Sequence, residues 1–98
     1  MQEDKGILKN NEIDEAVKFL PGWEREGNFL KKDFCFKDFK EVNLFIIHLS
    51  SSIVKLNHHP DFSFIGKDKK VAVSLTTHST GCITKADLDM AKLLNEWQ

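Results

Sequence analysis

Three of the four histidines in this chain of 98 residues have a spacing that suits proton transfer to and from a ligand. His58 and His59 are adjacent and precede Pro60, and His78 follows two threonines. Histidine is the side chain that can both donate and accept protons near neutral pH. The pattern therefore indicates acid–base chemistry at a site that folding has to assemble from two distant segments.

The residues around the three histidines predict that each lies at the end of a secondary-structure element. A proline disfavours helix at the residue before it, so Pro60 predicts that a helix ends just before His58. A helix C-terminus carries partial negative charge and favours the protonated form of a nearby imidazole, which can then act as a general acid. His78 is predicted to end the last strand on the polar face of the sheet.

Simpler roles compete for each of these histidines. His58 could hydrogen-bond the last carbonyls of the helix as a cap, and His59 and His78 could be exposed polar residues without a function. Three imidazoles could also bind zinc, but two adjacent ligands and a distant third match no familiar zinc pattern, so we predict no metal. His48 falls in the middle of a helical pattern and is predicted to be structural.

Composition limits the class of protein that this chain can be. With 41% hydrophobic and 30% charged residues and no linker or low-complexity stretch, it is predicted to form a single domain over residues 1–98. The net charge is -1, so the chain does not have the excess of basic residues that is typical of nucleic-acid-binding proteins. No apolar run could span a bilayer and the first residues have no apolar segment, so no membrane contact and a cytoplasmic location are predicted.

The apolar periodicity predicts an α+β domain, with four antiparallel strands in one sheet and three helices packed on one face. The order of elements is α-β-β-α-β-β-α. The predicted elements cover residues 12–20, 23–25, 29–36, 38–57, 62–65 and 71–77, followed by a helix that begins at Thr84. Asp38 with Glu41, and Thr84 with Asp87, have the spacing of helix capping boxes. The first helix is predicted to be capped by Asn10 or Asn11.

The long helix over residues 38–57 has a wider apolar surface than one sheet face requires. Leu44, Ile47 and Val54 lie outside the main apolar stripe and extend it around the helix. The helix could be buried on all sides, or it could use this second face in a subunit contact. The sequence leaves both alternatives open.

Five segments together resemble the pterin-4a-carbinolamine dehydratase family, also called 4a-hydroxytetrahydrobiopterin dehydratase. These segments are Gly22-Trp23, Phe36-Lys37-Asp38-Phe39, Lys55-Leu56-Asn57-His58-His59-Pro60, Leu75-Thr76-Thr77-His78, and Thr84 with Asp87. They occur in the family's order from about Leu20 to the C-terminus. The resemblance implies an α+β subunit with a four-stranded antiparallel sheet and three helices, assembled as a homodimer or homotetramer, that needs no metal and no cofactor.

The resemblance also implies a reaction and a set of site residues. The family dehydrates 4a-hydroxytetrahydropterin to quinonoid dihydropterin and water, which recycles tetrahydrobiopterin for the aromatic amino-acid hydroxylases. Its three catalytic histidines correspond to His58, His59 and His78. The implied substrate-contacting residues are Asn57, His58, His59, Thr76, Thr77, His78 and Ser79, and Phe62 could pack on the pterin ring.

The reaction requires one proton donor for the leaving hydroxyl and one acceptor for the proton on N5. We predict that His58 and His78 form this acid–base pair and that His59 orients the pterin, although the roles of His59 and His78 could be exchanged.

Two acidic residues could support the site. Asp87 matches an aspartate of the family, but its place near a helix N-terminus already explains it as a cap, and both roles can hold. Val54 stands four positions before His58, where many members carry an acidic residue. A carboxylate that tunes His58 is therefore expected to be missing, with Asp61 as a candidate replacement.

Two other functions compete with the dehydratase. Some relatives are dimerisation cofactors of a homeodomain transcription factor, and others resemble Rubisco assembly factors, so a protein-binding module is the first alternative. A pterin binder with little turnover is the second, because of Val54. Retention of all three histidines favours the enzyme, since a scaffold has no need of them.

Overall fold

Three helices and four strands follow one another in the predicted order in the computed structural model, which describes Gly6 and residues 8–97. The elements are α1 (Asn10–Val17), β1 (Glu24–Glu26), β2 (Phe29–Cys35), α2 (Phe39–Leu56), β3 (Asp61–Ile65), β4 (Lys70–Leu75) and α3 (Lys85–Leu94). A single 3-10 turn, Gly66–Asp68, connects β3 to β4. The predicted α+β class is confirmed.

The four strands form one antiparallel sheet in the order β1-β2-β4-β3. The two central strands align so that Leu30 lies opposite Leu75 and Phe34 opposite Val71, and all four side chains are buried. These residues pack in one core with the apolar faces of α2 and α3. Because side chains alternate along a strand, the helices cover one face of the sheet, as predicted.

Helix α1 and strand β4 differ from the sequence prediction at their ends: α1 covers Asn10–Val17 where 12–20 was predicted, and β4 covers Lys70–Leu75 where 71–77 was predicted. Helix α1 begins at Asn10 and is capped by Lys9, whose backbone N–H donates to the Glu12 side chain at 2.8 Å, so the prediction of an asparagine cap was wrong. Strand β4 ends at Leu75, because the N–H of Thr77 donates to the carbonyl of Cys82 at 3.1 Å and the chain turns there. His78 consequently lies in the turn after β4 and does not end the strand.

Helix α2, which leads into the site, is fixed by hydrogen bonds at its start and in its middle. Asp38 caps its start by accepting from the N–H of Glu41 at 2.9 Å, as the capping pattern predicts. In its middle, His48 Nε2 donates to the carbonyl of Leu93 at 2.8 Å, which ties α2 to α3. This contact is the structural role predicted for His48.

The outer face of α2 is open in the single chain. Leu44, Ile47 and Val54 are 48%, 62% and 79% exposed, while Val42, Phe45 and Leu49 on the opposite face are buried. Burial of the helix on all sides, one of the two sequence alternatives, is therefore wrong for a single subunit. Within Gly6 and residues 8–97, no helix has the length and apolar character needed to cross a membrane.

Candidate active site

The two histidine segments meet at a cavity of about 280 Å³ beside the end of β4. Its wall consists of Asn57, His58, His59, Thr76, Thr77, His78 and Ser79. All the residues predicted to contact substrate are in this wall except Phe62. The cavity therefore brings together two segments that are separated by residues 60–75, which contain the β3–β4 hairpin. The catalytic roles of these side chains remain predictions.

The end of α2 aims His58 into the protein. Asn57 directly follows the helix and adopts a left-handed conformation, with φ 51° and ψ 41°. Asparagine tolerates this conformation better than most residues, and it reverses the chain direction at the end of a helix. His58 is thereby turned inward and is only 6% exposed, whereas His59 remains exposed.

His58 is held by a buried carboxylate. Its Nε2 lies 2.6 Å from Oδ1 of Asp87, a residue with no exposed surface. The other oxygen of Asp87, Oδ2, accepts from the Thr77 hydroxyl at 2.8 Å and from the backbone N–H of Thr84 at 2.9 Å. Both carboxylate oxygens are thus engaged, which fixes the tautomer and the orientation of the His58 ring.

Asp87 serves as a helix cap and as the partner of His58 at once. The capping box of Thr84 and Asp87 forms as the sequence predicts, and the same carboxylate reaches His58 across the site. The sequence expectation that His58 lacks a nearby carboxylate was therefore wrong. His58 and Asp87 are 29 positions apart in the sequence, so local patterns could not reveal this pairing.

Val54 lies outside the wall of the histidine cavity. Its side chain lines a shallow groove on the outer face of α2, together with Ile47 and Ser51. Asp61, the predicted replacement for an acidic residue at position 54, pairs instead with His78, at 3.2 Å between Oδ2 and Nε2.

His59 has its own local support. Its Nδ1–H donates to the carbonyl of Pro60 at 2.8 Å, and its ring lies 6.2 Å from that of Phe62, at an angle of 26°. Phe62 lies outside the wall of the cavity and lines a neighbouring groove on the sheet with Asp61 and Ser74. Its predicted packing on a ligand would therefore take place at the rim.

Thr77 and Thr84 form hydrogen bonds that support the buried part of the site. The hydroxyl of Thr77 bonds both Asp87 and the Thr84 hydroxyl, the latter at 2.7 Å. Thr77 therefore orients Asp87, a role that differs from the predicted contact with substrate. Sequence reasoning treated Thr84 only as a helix cap, although its pairing with Asp87 was the available signal for a role in the site.

Nothing in the described ranges, Gly6 and 8–97, groups three His, Cys, Asp or Glu side chains as ligands for a metal ion. The prediction of metal-free chemistry stays a prediction from the sequence.

The fold and the site define a class of protein, a small α+β domain with a histidine cavity at one end of an antiparallel sheet. The family model described as Pterin 4 alpha carbinolamine dehydratase matches residues 7–97. The chain therefore belongs to the pterin-4a-carbinolamine dehydratase family, as the sequence resemblance predicts.

Individual relatives agree with this assignment over most of their length. A provisionally named pterin-4-alpha-carbinolamine dehydratase of Sulfurisphaera tokodaii is 39% identical over 89 residues, which cover 91% of this chain and 94% of the relative. One of Prochlorococcus marinus, with the same provisional name, is 37% identical over 90 residues and 92% of each chain. A crystal structure of a transcriptional coactivator/pterin dehydratase from Brucella melitensis superimposes with a TM-score of 0.85 at 31% identity, covering 93% of this chain and 97% of that one.

Proposed function

We propose that this chain dehydrates 4a-hydroxytetrahydropterin to quinonoid dihydropterin and water by histidine acid–base catalysis. The observation that carries the proposal is the buried pair of His58 and Asp87 in the wall of a cavity that also contains His59 and His78. An imidazole held by a carboxylate is the arrangement that proteins use to fix a proton-transfer group.

The proposed steps balance without any other reactant. His58, in its protonated form, donates a proton to the hydroxyl on C4a, and the bond from C4a to that oxygen breaks as water leaves. His78 accepts the proton of N5, and the electrons of the N–H bond form the double bond between C4a and N5. The hydrogen bond between Asp87 and Nε2 of His58 holds the imidazole ring in one orientation for the donation. His59 would orient the ring, and its role could be exchanged with that of His78.

The shape and chemistry of the cavity support a small planar ligand. Its volume of about 280 Å³ lies just below the range that is usual for small-molecule sites. Asn57, Thr76 and Ser79 are in the wall, and hydroxyl or backbone groups of these residues would hydrogen-bond the amide and amino edge of a pterin. Recycling of tetrahydrobiopterin, service to an aromatic amino-acid hydroxylase and a cytoplasmic location remain predictions from the sequence.

The direct test adds the purified protein to a phenylalanine hydroxylase reaction and follows the disappearance of the carbinolamine. We expect acceleration by the wild-type protein and a loss of about 10²-fold or more in His78→Ala, because general acid–base groups typically contribute 10²–10⁴-fold. No acceleration by the wild type would reject the enzyme. Pterin binding without turnover would support the alternative of a binder with little activity.

A protein-binding role is the second candidate, and the outer face of α2 supports it. Leu44, Ile47 and Val54 are spaced three and seven residues apart, so they lie along one side of the helix, and all three are exposed. Exposed apolar surfaces of this kind mark contacts with other chains. The Brucella melitensis neighbour is itself named a coactivator as well as a dehydratase. We propose that a second copy of this chain covers the face, giving the homodimer or homotetramer implied by the resemblance.

Placing a charge on this face should therefore dissociate the oligomer. Ile47→Glu would bury a carboxylate among apolar side chains of the partner. Burial of an unpaired charge costs much free energy, so the variant should not associate. We expect light scattering after size exclusion to show a dimer or tetramer for the wild type and a monomer for Ile47→Glu. Asn11→Glu adds the same charge on exposed α1 and should leave the mass unchanged. A monomeric wild-type protein would contradict the proposal.

A further inference from the structure

A second pair of carboxylate and imidazole lies on the open side of the cavity. Asp61, the first residue of β3, lies opposite Ser74 in the ladder with β4. This register places it beside the turn that follows β4, where its Oδ2 is 3.2 Å from Nε2 of His78. The two side chains are 60% and 66% exposed, respectively, in contrast to the buried pair of Asp87 and His58.

We infer that Asp61 is the positioning residue for His78. This inference rests on the proposed function, in which His78 exchanges a proton with substrate. An exposed imidazole on a turn can adopt several rotamers and either neutral tautomer. A hydrogen bond from Nε2–H to Asp61 selects one tautomer and one ring orientation, and Nδ1 becomes the nitrogen that exchanges a proton.

The position of Asp61 in the chain explains how it links the two halves of the site. It immediately follows His58, His59 and Pro60, so the segment that supplies two histidines also supplies the partner of the third. The pairing of β3 with β4 fixes the position of Asp61 beside the turn that contains His78. Exposed ion pairs contribute little to stability, so the pair is expected to affect the geometry of the site more than the stability of the fold.

The test compares Asp61→Ala and Asp61→Asn with a matched control, Asp68→Ala. Asp68 is also an exposed acidic residue of the β3–β4 hairpin, but it lies in the connecting turn at the opposite end. Asparagine keeps an oxygen that can accept from Nε2–H and removes the charge. The readouts are kcat and KM in the dehydratase assay, and the tautomer of His78 in ¹H–¹⁵N spectra recorded where the ring is neutral.

We expect Asp61→Ala to lower kcat about five- to tenfold with KM changed less than about twofold, consistent with the loss of one exposed charged hydrogen bond. The His78 spectrum should change from the Nε2–H tautomer to a mixture. Asp61→Asn should restore the tautomer and most of the lost kcat, and Asp68→Ala should match the wild type.

Equal kcat for Asp61→Ala and Asp68→Ala would overturn the inference, and so would an unchanged tautomer of His78 in Asp61→Ala. The spectroscopic readout needs no turnover. If the wild-type protein has no dehydratase activity, the proposed function fails, while the tautomer comparison still decides whether Asp61 positions His78.

Discussion

Asp87→Ala is expected to lower the free energy of unfolding by about 3–5 kcal/mol, because it removes the shared acceptor of a buried network. Asp87 has no exposed surface and accepts hydrogen bonds from His58, Thr77 and the backbone of Thr84. Alanine would remove the carboxylate that accepts from all three of these buried groups, and water could not easily replace it. Urea denaturation, followed by circular dichroism, measures the change.

Two comparisons separate this network from an ordinary surface charge. Asp89→Ala removes another acidic residue of α3, whose Oδ2 lies 3.9 Å from Nζ of a half-exposed Lys85, and should cost no more than about 1 kcal/mol. Asp87→Asn keeps an oxygen for one donor but directs an NH₂ group at another, so its cost should lie between those of the two alanine variants. A loss below about 1 kcal/mol in Asp87→Ala would show that the network does not stabilise the fold.

His58→Gln is expected to lower kcat by about 10²–10⁴-fold, with a much smaller effect on KM. Glutamine retains an N–H that can donate to Asp87, so the buried carboxylate keeps a partner and the fold should persist. It cannot exchange protons near neutral pH, so the step in which the C4a hydroxyl leaves as water loses its acid. Steady-state kinetics in the coupled hydroxylase assay, with circular dichroism to verify folding, measure both properties.

The matched control for this variant is His48→Gln. His48 bonds the carbonyl of Leu93 in the contact of α2 with α3, away from the cavity, and glutamine can replace that bond. Its kcat should stay within about twofold of the wild type. If His58→Gln retained more than about a tenth of the wild-type kcat, His58 could not be the general acid, and the roles of the three histidines would need to be reassigned.

Most of the fold was predictable because its signals are local. The alternation of apolar residues along β2 and β4 and the helical spacing along α2 are properties of neighbouring residues. The apolar strand residues and Val42, Phe45 and Leu49 of the helix are buried as expected. The capping box of Thr84 and Asp87 likewise needs only residues three apart. The cap of α1 and the end of β4 were missed, because each depends on a competing hydrogen bond that local propensity does not reveal.

In the candidate site, too, the local features were predictable and the long-range contacts were not. The sequence alone identified the three histidines, the segments that carry them and the family, since these features depend on residue type and order. Only the tertiary structure decided which carboxylate hydrogen-bonds which imidazole. Asp87 pairs with His58, 29 positions away in the sequence, and Asp61 pairs with His78, 17 positions away. It also placed Val54 in a groove on the outer face of α2, outside the wall of the cavity. Hydrogen-bond partners are chosen by distance in space, and that distance is set when helix α3 and the β3–β4 hairpin pack around the end of α2.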